Sequence, residues 1–355
     1  MNIAESHSGS PAEEQKAVHY VEPIVQSGTG RATLNEAFVR RSRYHEVGYC
    51  KAVVNFTSFP EKGDEFILKE DGKQIFRGRI KSVDELRNEA YLVRANDIMK
   101  KIKNMKVTGN YEGSIGDIVE DILREKDIQS VVHQRGGCNL ESKKQWSDAR
   151  LDSVLDHLAK ASAAFWWIDE FNGLHFGPEP QIADHDIEHV LESSAGESDK
   201  SVKEAKARGD SPASEKAKEL MHQINKHGLS SDKSAEGEGG DKLYKDKNLR
   251  QQAEADNAAE SIMWESLSQT KNGWIKAVGM PQIEPYDRIH LPEWFEGQDY
   301  TVSTIEHRID NDVGFETKIW VCASPDGDAQ PIETNGISPV APEPESGSLT
   351  GGFSE

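Results

Sequence analysis

The spacing of apolar residues changes from strand-like to helix-like and back along this chain. In "YCKAVVNF", residues 49–56, the side chains of Cys50, Ala52, Val54 and Phe56 fall on one face of a strand, because successive side chains alternate with period two. From Ser114 the period is helical: Ile115, Ile118, Val119 and Ile122 of "SIGDIVEDILREK" share one stripe, with Asp117 three residues after Ser114 as a capping pair. The period returns to two in "YTVSTIEHRID", residues 300–310, and "GFETKIWV", residues 314–321, which read as a closing hairpin. A chain patterned in this way predicts an α+β fold, mainly β, with an α+β unit between two sheet regions.

Local signals sharpen the outline. Two strand-like runs in "DEFILKEDGKQIFRGRI" flank the turn "EDGK", where Gly72 can take positive φ, and Phe76, Gly78 and Ile80 share a face on the return strand. With "EAYLVRAND" they predict a small antiparallel barrel or sandwich ending near residue 106. A second helix is predicted in "SDARLDSVLDHLAKASA", with Leu151, Val154, Leu155 and Leu158 buried and Ser147 as N-cap. The Asn172-Gly173 pair in "AFWWIDEFNGLHFGP" predicts a type I′ hairpin. Between "IEHVLES", read as a strand, and the helix "NLRQQAEADNAAESIMWESL" lies a charged, Gly/Ser-rich stretch of about 193–250. It is too poor in large apolar residues to form a core alone, and "SEKAKELMHQINKHG" within it reads as one marginal helix. Strands "GWIKAVGM" and "YDRIHL" follow. Residues 1–20 read as a flexible arm that orders only on a partner, and the Pro-, Gly-, Ser- and Glu-rich tail 325–355 as flexible or as a docking strand.

Length and charge restrict the function classes. A chain of 355 residues exceeds what one core usually supports, so two or three are expected. Sixty-two acidic residues against 42 basic ones, a net charge of −20, disfavour a sequence-specific nucleic-acid binder. No run approaches the length of a membrane-spanning helix, and the first residues lack the basic and apolar regions of a cleaved signal. Cys50, Cys138 and Cys322 are odd in number and widely separated, and read as reduced packing residues.

Chemistry-bearing motifs are scarce. His185 and His189 in "ADHDIEHV" stand four apart, but on a strand or loop they would be about 13 Å distant, so a metal pair is not expected. His290 and His307 read as surface or interface residues of strands. Cys-x-x-Cys, Gly-x-Ser-x-Gly and Walker-type patterns do not occur. Trp166-Trp167 and "PEWFEG", with Trp294 and Phe295, could stack on sugar rings, but a subunit contact explains them equally well. The adjacent tryptophans should point to opposite faces. The reading is of a non-enzyme without cofactor or metal.

The order of elements resembles the tail hub proteins of phages: the late-control protein D family, related to the baseplate hub of contractile tails and to the hub portion of the type VI secretion spike. The likeness runs from about residue 20 to 324 and rests on "LDSVLDHLAKASAAFWWIDEFNGLHFGP", "GWIKAVGMPQIEPYDRIHL" and "YTVSTIEHRIDNDVGFETKI". Two departures are the long charged insertion and Tyr286, which stands where the pattern has glycine. The resemblance implies two tube-like antiparallel β-barrel domains, 21–106 and 184–324, with a helix-helix-hairpin domain, 107–183, between them. It implies a homotrimer in the virion, assembled in the host cytoplasm, with the tail tube or a distal tail protein above, a separate spike below and other baseplate proteins around it. Such a ring would adapt a hexameric tube to a trimeric spike and line a channel for DNA, and the excess acidity would serve as its lining. A cell-wall hydrolase and a glycan-binding module of a tail are the alternatives. Under the hub reading, Trp294 and Phe295 are candidate interface residues on a loop between two strands.

Overall fold

The computed structural model describes residues 18–21, 33–55, 60–70, 72–87, 90–177, 183–187, 189–197, 202–209, 229–234, 240–246, 248–249, 251–268, 271–291, 299–310 and 314–323. The first strands are β1 (Val18–Val21), β2 (Thr33–Ser42), β3 (Tyr49–Asn55), β4 (Glu65–Glu70), β5 (Lys73–Glu85) and β6 (Tyr91–Asn96). The middle of the chain forms α1 (Met99–Asn104), β7 (Lys106–Ser114), α2 (Ile115–Glu125), β8 (Ser130–Val132), β9 (Glu141–Arg150), α3 (Leu151–Ser162), β10 (Phe165–Ile168) and β11 (Leu174–Gly177). Then come β12 (Asp184–Asp186), β13 (Val190–Glu197), β14 (Val202–Gly209), β15 (Leu229–Ser234), β16 (Gly240–Lys245) and α4 (Gln252–Leu267). The last strands are β17 (Lys271–Val278), β18 (Arg288–His290), β19 (Asp299–Asp310) and β20 (Gly314–Ala323).

The architecture is mainly β. Twelve strands form one sheet along the path β1-β4-β5-β6-β3-β2-β19-β20-β17-β13, with β18 and β12 branching from β19. Most pairs are antiparallel, but β1 with β4 and β12 with β18 are parallel. Where two separate barrels were expected, the antiparallel pair β2–β19 fuses the halves, Ile305 facing Arg41 and Ile309 facing Ala37. No closed barrel is present among the described residues. Each half nevertheless buries its own cluster: Val39, Ala52, Val54, Phe66 and Phe76 on one side, Ile275, Ile289, Tyr300, Val302 and Ile319 on the other.

The local expectations can be followed residue by residue. Cys50, Ala52 and Val54 are buried on one face of β3, and the β4–β5 hairpin turns through Gly72 at φ +77°. Gly78 lets β5 approach β6 closely; a Cβ there would sit 2.4 Å from the Asn96 carbonyl. Ser114 Oγ caps α2 by accepting the Asp117 N–H at 3.1 Å. The expected cap of α3 is displaced: Ser147 lies inside β9, because pairing with β7 holds this segment extended as far as Arg150. Helix α3 starts after Arg150 without a side-chain N-cap bond, and the Asp152 carboxylate accepts the Ser153 N–H at 2.9 Å in its first turn. The β10–β11 hairpin forms as expected, but by a longer loop than a two-residue turn. Only Asn172 is left-handed there, at φ +65°, and Asp169 Oδ1 accepts the N–H groups of Phe171 and Gly173 at 2.9 and 2.7 Å. His307 is not a surface residue but fully buried, with Nδ1 3.0 Å from Thr317 Oγ1. Burial, helped by the nearby positive charge of Arg41, lowers its pKa to about 3.

The charged stretch is built into the fold. Strand β14 pairs with both β15 and β16, and Ala205 and Ala207 bury against α4 and the middle core, with Ile262, Met263 and Tyr244 beside Ala205. Small residues at alternate positions suffice because the helix closes directly over them. The "SEKAKELMHQINKHG" helix lies outside the described residues. A polar clasp ties β16 to α3: His157 Nδ1 lies 2.6 Å from Asp246 Oδ2, and the Tyr244 hydroxyl donates to the same oxygen at 3.1 Å. Burial works against an ionised Asp246, but His157, the Asn248 N–H and Tyr244 outweigh it and bring its pKa down to about 2. A depressed carboxylate stabilises above its unfolded pKa of about 3.9 and loses that contribution as pH falls toward 2. Asp246→Asn should therefore lower the urea midpoint at pH 7, and its difference from wild type should shrink as the pH is taken from 5 to 3. A constant difference would place the effect of Asp246 in packing instead.

Candidate functional site at the junction of the three cores

The two sheet halves and the middle unit meet where β2 runs into the loop 43–48. Each contributes polar groups that the others desolvate. Arg41, near the end of β2, forms an ion pair with Glu284 from the loop between β17 and β18. Burial nonetheless raises Glu284 to about 7. Asp97, after β6, accepts the Gly48 N–H at 2.9 Å and the Met99 N–H at 3.0 Å, and burial raises it to about 7 despite them. Gly48 permits this closeness; a Cβ would lie 2.3 Å from Asp97 Oδ2.

An aromatic knot sits beside these charges. Trp166 is 1% exposed, the largest fully buried side chain, and its indole N–H donates to Asp156 Oδ1 at 2.8 Å. His45 stacks on it at 3.7 Å between ring centroids, with Nε2 2.8 Å from the Trp166 carbonyl and Nδ1 3.1 Å from Asp156. Burial opposes ionisation of Asp156, but hydrogen bonds and charge from His45, with the Trp166 N–H, hold its pKa below the usual carboxylate value. Trp167, the neighbour, points the other way and is half-buried, stacked on His175 at 5.0 Å, as alternation requires.

Tyr286 links the knot to the second half of the sheet. Its hydroxyl reaches the carbonyls of Arg43 at 3.3 Å and Trp166 at 3.4 Å, its own N–H donates to Val302 at 2.9 Å, and the Arg43 guanidinium lies 5.6 Å over its ring. The residue has φ +83°, a left-handed conformation that glycine adopts without penalty and a bulky residue seldom does. The anomaly at this position, legible in the sequence, thus marks a real glycine-like backbone. The basic and aromatic members, Arg41, Arg43, His45 and Trp166, carried no signal of joint placement.

The junction encloses a cavity of about 40 Å³ lined by Arg41, Arg43, His45, Asp97, Trp167 and Tyr286. That admits a water or two and falls well short of the roughly 300 Å³ of a small-molecule site. Its geometry suits a mechanical joint. Elsewhere, His185 Nε2 lies 2.8 Å from the Asp287 carboxylate while His189 is exposed, and no group of three metal-ligating side chains occurs among the described residues. The cysteines are free and buried. No helix among the described residues is long and apolar enough to cross a membrane. Trp294 and Phe295 lie outside the described residues.

No protein-family model matches the chain, and no curated protein matches it. Solved structures do. The 43 kDa tail protein of prophage MuSo2 from Shewanella oneidensis is similar with TM-score 0.62 at 13% identity, over 81% of this chain and 94% of that one. The tail protein from Neisseria meningitidis MC58 gives TM-score 0.64 at 12% identity, over 82% and 92%. The E. coli c3393 protein, a type VI secretion component described as similar to the T4 bacteriophage tail proteins gp27 and gp5, gives 0.50 at 10% identity, over 83% and 75%. The chain therefore shares the fold of these tail proteins.

Proposed function

We propose that the protein is a structural virion subunit: a trimeric baseplate or tail-tip hub that adapts a hexameric tail tube to a trimeric spike and lines the channel for DNA. The observation that carries this reading is the single sheet with two halves, each with its own core, fused at β2–β19. Two tube-like halves per chain let three copies present six similar positions in a closed ring. The ends of the sheet path are the strands through which neighbours would join. At one end β13 leaves Val190 and Leu191 45% and 53% exposed, an edge that in a lone chain invites pairing. The domains in this reading are the two halves, 21–106 and 184–324, and the middle unit 107–183, which meet at the junction. A net charge of −20 disfavours lasting capture of DNA, as passage requires. The names of the similar structures, all tail or secretion-apparatus proteins, agree with a non-enzymatic role in a virion tail among other tail proteins.

Native mass measurement of the purified chain tests this. The expected result is a species of three times the 39.5 kDa chain mass, or a monomer that becomes trimeric when the adjoining tail proteins are added. A stable dimer or tetramer would sink the ring.

A further inference from the structure

Two rows on the solvent face of the sheet carry more cations than carboxylates beside a pair of tryptophans. Trp274 of β17 and Trp320 of β20 are directly paired across the strands, both half-buried. The Lys318 ammonium lies 3.9 Å from the centroid of the first ring and 4.8 Å from that of the second, and Arg40 lies over Trp320 at 5.6 Å. The next row of paired residues runs Glu192, Lys276, Lys318, Glu306, Arg40, and the one after it Glu316, Arg308, Phe38, Lys51, Arg94. Six cations therefore share two rows with three carboxylates, Glu192, Glu306 and Glu316; Lys276, Arg40, Arg94 and Arg308 form ion pairs with Glu316, with Glu306 and Glu46, with Asp84 and with Asp310, while the Lys318 ammonium lies over the two rings.

We propose that the acidic, proline-rich segment 324–355 folds back over this face of its own chain. Its prolines pack at the Trp274–Trp320 pair, and its carboxylates lie beside Lys318, Lys276 and their neighbours. The segment contains six acidic residues and no Lys or Arg, so its charge complements the face. It includes "PVAPEPE", residues 339–345, in which Pro339 and Pro342 are spaced for one side of a polyproline II helix, a conformation that docks on aromatic-lined surfaces at small entropic cost. It also starts in the right place, because β20 leads directly into it four residues after Trp320. Reach is ample: fifteen residues from 324 to 339 extend about 45 Å at roughly 3.1 Å per residue, whereas the six strands from β17 to β6 span about 24 Å. Covalent attachment makes the effective concentration millimolar, so a weak contact suffices.

Carbodiimide cross-linking of the full chain, mapped by mass spectrometry on a mixture of ¹⁵N-labelled and unlabelled protein, tests the proposal. Expected are links from Lys318 or Lys276 to Glu343 or Glu345 within single chains. Glu343→Lys with Glu345→Lys should reduce them at least tenfold, and adding Lys318→Glu to that variant should restore links of reversed polarity. Links found only between chains of different isotope, links from these lysines to the acidic residues of 1–17 in place of the tail, or no links at all would each overturn it.

Discussion

Replacing Lys144 with Met should lower the unfolding free energy by about 3–5 kcal/mol, the cost of stranding a buried charge. Lys144 and Glu254 are both 0% exposed and lie 2.8 Å apart. The Lys144 ammonium also donates to the Asn248 carbonyl at 2.6 Å, and the Ser142 hydroxyl donates to Glu254 at 2.5 Å. The pair joins β9 to α4, and α4 in turn covers the sheet of β14, β15 and β16. Removing the cation takes from a buried carboxylate its ion-pair partner at 2.8 Å. Removing both charges is different: Lys144→Met with Glu254→Met should recover most of the loss, because apolar residues of similar volume often replace a buried pair at little cost. Urea denaturation followed by tryptophan fluorescence would measure this. A single variant within about 1 kcal/mol of wild type would mean that the pair is solvated in solution.

The same pair shows what sequence alone could and could not reveal. No strand was expected over 141–150; in the structure Ser142, Lys144 and Trp146 share the buried face of β9. The partner of Lys144 is 110 residues away, and no local pattern points across that distance. The cores of β3, α2 and α3 were legible because strong periodicity and large side chains coincide there. The sheet of β14 to β16 was not, since alanines at alternate positions look solvated until α4 covers them. Ser147 misled because cap preference is a local rule, and long-range pairing of β7 with β9 overrode it. At the junction, Tyr286 stood out as a break in the family's pattern, whereas no motif singled out His45 or Arg43.

Tyr286 is where backbone preference and side-chain packing oppose each other most directly. Its left-handed φ of +83° should cost about 1–2 kcal/mol for a bulky residue. Glycine would remove that strain, although it also raises the entropy of the unfolded chain and so returns part of the gain. Against this stand a side chain 7% exposed, an edge-on contact with Phe165 at 6.5 Å, the Arg43 guanidinium over the ring, and two hydroxyl contacts to carbonyls of different units. Truncating a buried aromatic costs roughly 3–5 kcal/mol. Packing wins, so Tyr286→Gly should destabilise by about 2–4 kcal/mol, and Tyr286→Ala, which keeps the strain and loses the ring, by about 1 kcal/mol more. Tyr286→Phe, losing only the long hydroxyl contacts, should cost about 0.5–1.5 kcal/mol. The expected order of urea midpoints is wild type, Phe, Gly, Ala. If the glycine variant matched or exceeded wild type, the ring would contribute nothing net to the joint.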